Sequence, residues 1–269
     1  MSAHTRSNHE ALARNAVRVA SAMWDATGSG TGRASYLTAG QVLDASPAGS
    51  GDAPGPAVHP TVARFLWQAT SQPWRYGQLY VLGPARTVDL GHAVATLDPD
   101  TIHPAAGDVP SDDGVLLLQA PQYQAGPHRT VLGVAALTWI STTTTPDNDN
   151  GVFVTTWARH DNPHDPTAVK LHTSLAARGL LRACGPCLPI AYAWINLSRH
   201  AAPRPDSAGS ASTGHSHGSD PPPVPGSVSD RVTTTALAYL LWRHATAGPA
   251  VRVPTHRAGP GPTDVVLLR

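Results

Sequence analysis

Residues 130–159 read TVLGVAALTWISTTTTPDNDNGVFVTTWAR. Two apolar or alternating runs, 130–140 and 151–159, flank a polar segment, and the closing Asn150-Gly151 pair tolerates the positive φ values of a tight turn. That is the pattern of two antiparallel strands. Further upstream, GQLYVLG at 77–83 and GVLLLQA at 114–120 are short apolar runs bounded by Gly, Pro and Asp, and TDVVLLR closes the chain as one more. These read as strands of the same kind, and the simplest arrangement is an antiparallel meander.

Helical periods surround them. Ala13, Ala16, Val17, Ala20, Met23 and Trp24 recur at helical spacing before residue 28. Phe65, Leu66 and Ala69 mark a second stripe that Pro60 begins and Pro73 is expected to end. In HDNPHDPTAVKLHTSLAARGLL, Asp165 is placed to cap a helix, Pro166 fits its first position and Gly179 its end. In SDRVTTTALAYLLWRHATAG, Ser229 or Asp230 is a cap, Leu237, Leu240 and Leu241 a buried face, and Gly248 the stop. A further helix is expected after Pro186, through CLPIAYAWINLSRHA. The expectation is therefore α+β: an antiparallel sheet of four to five strands packed with four to five helices.

Residues 44–60 and 201–229 are rich in Pro, Gly, Ser and Ala and carry almost no large apolar side chains. They cannot bury enough surface to offset the entropy of ordering, so they read as a mobile loop and a disordered linker. Residues 230–269 are expected to dock back, the helix on the sheet and the end strand at an open edge, completing a single domain over 1–269.

Composition bounds function more weakly. An apolar fraction of 41% over 269 residues is enough for a core. The absence of any long apolar run and of a leader-like N-terminus points to a cytoplasmic protein with no membrane partner. The 19 cations include one lysine, Lys170, and the 18 anions one glutamate, Glu10. Such a skew, with abundant Ala, Gly and Pro, reflects the codons of a GC-rich bacterium. A net charge of +1 without a basic run leaves both protein and nucleic acid open as partners.

Three sets of residues could carry chemistry. His160, Asp161, His164 and Asp165 lie between the end of a strand and the start of a helix, where His with Asp could serve as a catalytic base pair or hold a divalent metal. Cys184 and Cys187 flank Gly-Pro, and this quartet resembles the active site of thioredoxin. No strand pattern or aromatic precedes it and no basic residue follows, so the resemblance covers four residues and implies no fold. As thiols the pair could serve redox chemistry or, with His200, His215 or His217, a metal. Trp139 and Trp157, on adjacent strands, could stack on a base; most of the 7 tryptophans are expected in a core that has only 2 Phe.

Two functional classes follow. One is a non-catalytic binding or accessory protein; the other is a small metal- or His/Asp-dependent enzyme using the His160 to Asp165 cluster, or a thiol protein using Cys184 and Cys187. No cofactor is assignable from the sequence.

Overall fold

A computed structural model describes residues 3–28, 38–44, 60–97, 101–125, 131–143, 150–197, 228–257 and 261–268. The elements run α1 (Ala3–Thr27), α2 (Ala39–Asp44), α3 (Pro60–Tyr76), β1 (Gln78–Leu82), α4 (Pro84–Thr96), β2 (Asp113–Ala125), β3 (Val131–Thr143), β4 (Asn150–Arg159), α5 (Pro166–Ala177), α6 (Leu181–Cys184), β5 (Cys187–Asn196), α7 (Val228–Ala247), β6 (Ala250–Pro254) and β7 (Asp264–Leu268). The expected loop at 44–60 and linker at 201–229 fall almost wholly outside the described residues.

Helices and sheet are both present, as an α+β reading requires, but the sheet has seven strands in the order β5-β4-β3-β2-β1-β7-β6 and is mixed. The expected purely antiparallel sheet of four to five strands is thereby corrected. β1 runs parallel to both β2 and β7, while β2 to β5 form the antiparallel meander. Parallel pairing needs a crossover, and α4 provides it between β1 and β2. That helix, PARTVDLGHAVAT, was not expected, because Gly91 and a scatter of β-branched residues blur its period.

Alternation along each strand divides the core into two layers. Leu79 and Val81 of β1, Val115, Val265 and Leu267 pack with Ala13, Ala16, Val19 and Met23 of α1 and Trp74 of α3 on one face. Tyr80, Leu82, Leu116, Leu118 and Val266 pack with Leu171 and Leu175 of α5 and Leu237 and Leu241 of α7 on the other. β1 and β7 are buried on both faces, which accounts for runs such as VVLL being continuously apolar.

Four local expectations change. CLPIAYAWIN is strand β5, not a helix: Ile, Tyr, Trp and Ile fit a pleated surface, with Tyr192 on the α3 face and Ile195 on the other. Pro73 lies within α3 rather than at its end. It lacks an N–H for the turn before it, but burial of Trp74 against Trp157, with ring centroids 5.3 Å apart, favours continuing the helix. Arg257 then takes up the last carbonyls, donating to Gly77 O at 2.8 Å and to Trp74 O. Asn150 and Gly151 belong to β4, not to a turn, and a side chain at Gly151 would meet the Trp194 ring at 2.0 Å. Ser229 and Asp230 stand inside α7 rather than capping it.

The C-terminal strand also takes an unexpected place. β7 is not at an open edge but lies between β1 and β6, bonded on both sides.

Candidate functional site

The chemistry-bearing residues gather at one end of the sheet, the carboxyl end of β1, and the strand pairing explains why. Between Leu117 and Gln122 of β2 the register against β3 slips; it slips again between Val134 and Ala136 of β3 against β4, and between Thr156 and Trp157 of β4 against β5. Register breaks bend strands and end local pairing, and they are frequent beside binding sites. Here three of them fall side by side. The gap they leave is a crevice of about 340 Å³ between the sheet and the middle of α1.

Its walls are apolar and polar in about equal part, the apolar part from Ala16 and Val19 of α1, Val81 of β1, Pro84 at the start of α4, Leu117 and Ala135. Three polar side chains reach it, those of Asn15, Gln119 and Arg159. Arg159 lies at the last position of β4 and forms a bidentate pair with Asp161, Nε to Oδ1 at 2.6 Å and Nη2 to Oδ2 at 2.7 Å. That hydrogen bond raises the guanidinium pKa. Burial pushes the Asp161 carboxyl up, but the Arg159 hydrogen bond and charge outweigh it and leave it below the usual carboxylate range. Pro84 marks the N-terminus of α4, which no side chain caps.

Because side chains alternate, His160 points to the other face of β4. There its Nε2–H donates to the Gly185 carbonyl, since a carbonyl only accepts, and its Nδ1 lies 3.3 Å from Nδ1 of His172 on α5. Both ring nitrogens are thus engaged. Burial holds the His160 pKa below its ordinary value.

The cluster expected from sequence does not converge on one point. Asp165 caps α5, accepting from Thr167 N at 2.8 Å and Ala168 N at 3.4 Å, as its position before Pro166 implied. His164 is exposed, and Asp161 is held by Arg159. Among the described residues no group of three or more His, Cys, Asp or Glu is arranged to hold a metal ion.

Cys184 and Cys187 are both buried as free thiols, at the end of α6 and the start of β5. Gly185 between them has φ +64°, a conformation glycine alone adopts freely, and a side chain there would press on Ala26 at 2.9 Å. Burial raises the Cys184 thiol to about 11 and the Cys187 thiol to about 12. Neither is a thiolate near neutral pH. His200, His215 and His217 lie outside the described residues.

Trp139 and Trp157 do not share a surface. Trp139 faces α7, with Trp242 at 6.1 Å, and its indole N–H donates to Ser111 O at 2.8 Å. Trp157 faces α3 and donates to Thr138 Oγ1 at 2.9 Å. At 0% and 1% exposure, neither offers a ring to a base.

Arg159, Gln119, Asn15 and His172 were not singled out in the sequence. Arg159 directly precedes the His160 cluster, a signal of position only, and nothing in the spacing of His160 and His172 announces their contact. No family model, curated protein or solved structure matches this chain. Among the described residues no helix is long and apolar enough to cross a membrane.

Proposed function

We propose that the protein binds a small amphipathic molecule, with an apolar part and one carboxylate or carbonyl group, in the crevice between α1 and the carboxyl ends of β1 and β2, without transforming it. The observation that carries this reading is the coincidence of the crevice with three adjacent register breaks at the carboxyl end of a parallel strand pair. In sheets of this kind ligands favour that end, where loops diverge and helix N-termini point inward.

The chemistry of the lining selects the ligand. Ala16, Val19, Val81, Leu117 and Ala135 favour an apolar body, and a volume of about 340 Å³ suits a small molecule rather than a peptide or nucleotide chain. The Asn15 and Gln119 amides and the Arg159 Nη1 hydrogens supply donors for an acceptor group. The N-terminus of α4 favours negative charge at the same rim.

Binding is preferred to catalysis because the thiol nearest the crevice, that of Cys187, is held neutral by burial. The His160 imidazole has both nitrogens engaged on the opposite face of β4.

A thermal-shift screen of small monocarboxylates and their amides against the wild type and Arg159→Met tests the reading. The expected result is a subset of carboxylates that raise the wild-type melting temperature and lose that effect in the variant, whose stem still fills its place. Stabilisers that act equally on both proteins would count against it.

A further inference from the structure

We infer that His160 and His172 form a binding site for a divalent transition-metal ion, held through the two Nδ1 atoms and completed by water. The site is independent of the crevice and lies on the opposite face of β4.

The first argument is tautomeric. Because Nε2 of His160 donates to the Gly185 carbonyl, the neutral ring carries its proton there and leaves the Nδ1 lone pair directed at His172. A backbone carbonyl that fixes one ring nitrogen so that the other can ligate is the usual outer partner of a metal-bound histidine.

The second argument is distance. Bonds of about 2.0–2.1 Å from a tetrahedral ion to two imidazole nitrogens place those nitrogens about 3.3–3.4 Å apart. The two Nδ1 atoms stand 3.3 Å apart, with ring centroids separated by 5.5 Å. An ion seated to one side of the line between the two nitrogens, with each ring tilted toward it, can therefore replace the hydrogen bond at the same nitrogen separation.

The third argument is access. His160 is 6% exposed at the strand end, whereas His172 lies on the exposed side of α5, from which water can complete the coordination. For the ion to enter, His172 must carry its proton on Nε2, a tautomeric change with no net gain or loss of protons. Two imidazoles with water suit nickel, copper, zinc or cobalt rather than calcium or magnesium, which prefer oxygen.

Titration of the full chain with cobalt(II) tests this, with His172→Ala and His164→Ala as variants, since both positions are exposed and neither substitution threatens the fold. The wild type and His164→Ala should bind one ion with a weak visible spectrum of nitrogen and oxygen ligands, and His172→Ala should bind at least tenfold more weakly. Equal affinity in all three proteins, or an equal loss in both variants, would overturn the site. So would an intense near-ultraviolet band, which marks thiolate ligands and would transfer the binding to Cys184 and Cys187.

Discussion

The Arg159 guanidinium and the Asp161 carboxylate meet through two near-parallel contacts of 2.6 and 2.7 Å at the rim of the crevice. The pair leaves Nη1 of Arg159 for a ligand and fixes the direction in which it points. With side-chain exposures of 34% and 40%, its worth to the fold is small. Asp161→Asn should therefore lower stability by less than about 1 kcal/mol in urea unfolding, while the Arg159 Nε–H resonance shifts as its partner loses charge. A loss of several kcal/mol would make the pair a structural clamp rather than part of a binding rim.

Gly114 and Trp139 face each other across β2 and β3, and a side chain at Gly114 would meet the indole ring at 2.1 Å. The ring is held by its bond to Ser111 and by Trp242, so it has nowhere to move. Gly114→Ala should cost about 2–3 kcal/mol through overpacking, a fall in melting temperature that circular dichroism would register. An unchanged transition would mean that the ring is not packed against this glycine.

These two glycines, Gly114 and Gly151, also show how far the sequence could be read. Both mark strand boundaries in the pattern of residues, and both strands were legible; that each makes room for a tryptophan on the next strand was not, because the cross-strand neighbour depends on register. The helices with a cap and a stripe, such as α5 with Asp165 and Pro166, were legible for the same local reasons that make them form. β5 reads as a helix in the sequence because Ala, Leu and two prolines resemble a helix start, and its strand character comes from burial on both faces, a tertiary fact. The parallel pairing of β1 with β7 joins residues almost 190 positions apart, and no local pattern encodes it. The crevice arises from slips in pairing, which also leave no mark in the sequence.

The pH dependence of stability follows from His160. Its folded pKa lies below the unfolded value of about 6.5, so protons bind the unfolded chain more readily. The stability is fully present above about pH 6.5, falls as the pH drops below it, and levels off once the folded ring also protonates. His244, lowered first by burial and then by Arg86, acts in the same direction. Asp161, lowered overall, contributes only near the ordinary carboxylate pKa of about 3.9 and leaves this window flat. Melting temperatures between pH 7.5 and 5.5 should therefore fall in the wild type and fall less in His160→Asn, whose amide keeps a donor for Gly185. Parallel curves would show that His160 is not held neutral.

The buried thiols give a kinetic expectation. With Cys184 near 11 and Cys187 near 12, iodoacetamide at pH 8 should modify both at least a hundredfold more slowly than a free cysteine of pKa about 8.5. Mass spectrometry of a timed reaction reads this directly. Rapid labelling of either thiol would restore the redox reading of the Cys-Gly-Pro-Cys turn.

The most direct measurement of ligand binding in the crevice is a two-dimensional NMR titration of the labelled chain with the strongest stabilising monocarboxylate from the thermal-shift screen. Residues that line the crevice, Ala16 and Val19 on α1, Val81 on β1, Gln119 on β2 and Ala135 on β3, should shift together and saturate with one dissociation constant. Residues on the opposite layer, such as Leu171 and Leu241, should stay in place. A shift map centred on α5 and α7, or one scattered over the surface without saturation, would contradict the proposal that this crevice is where the protein meets its ligand.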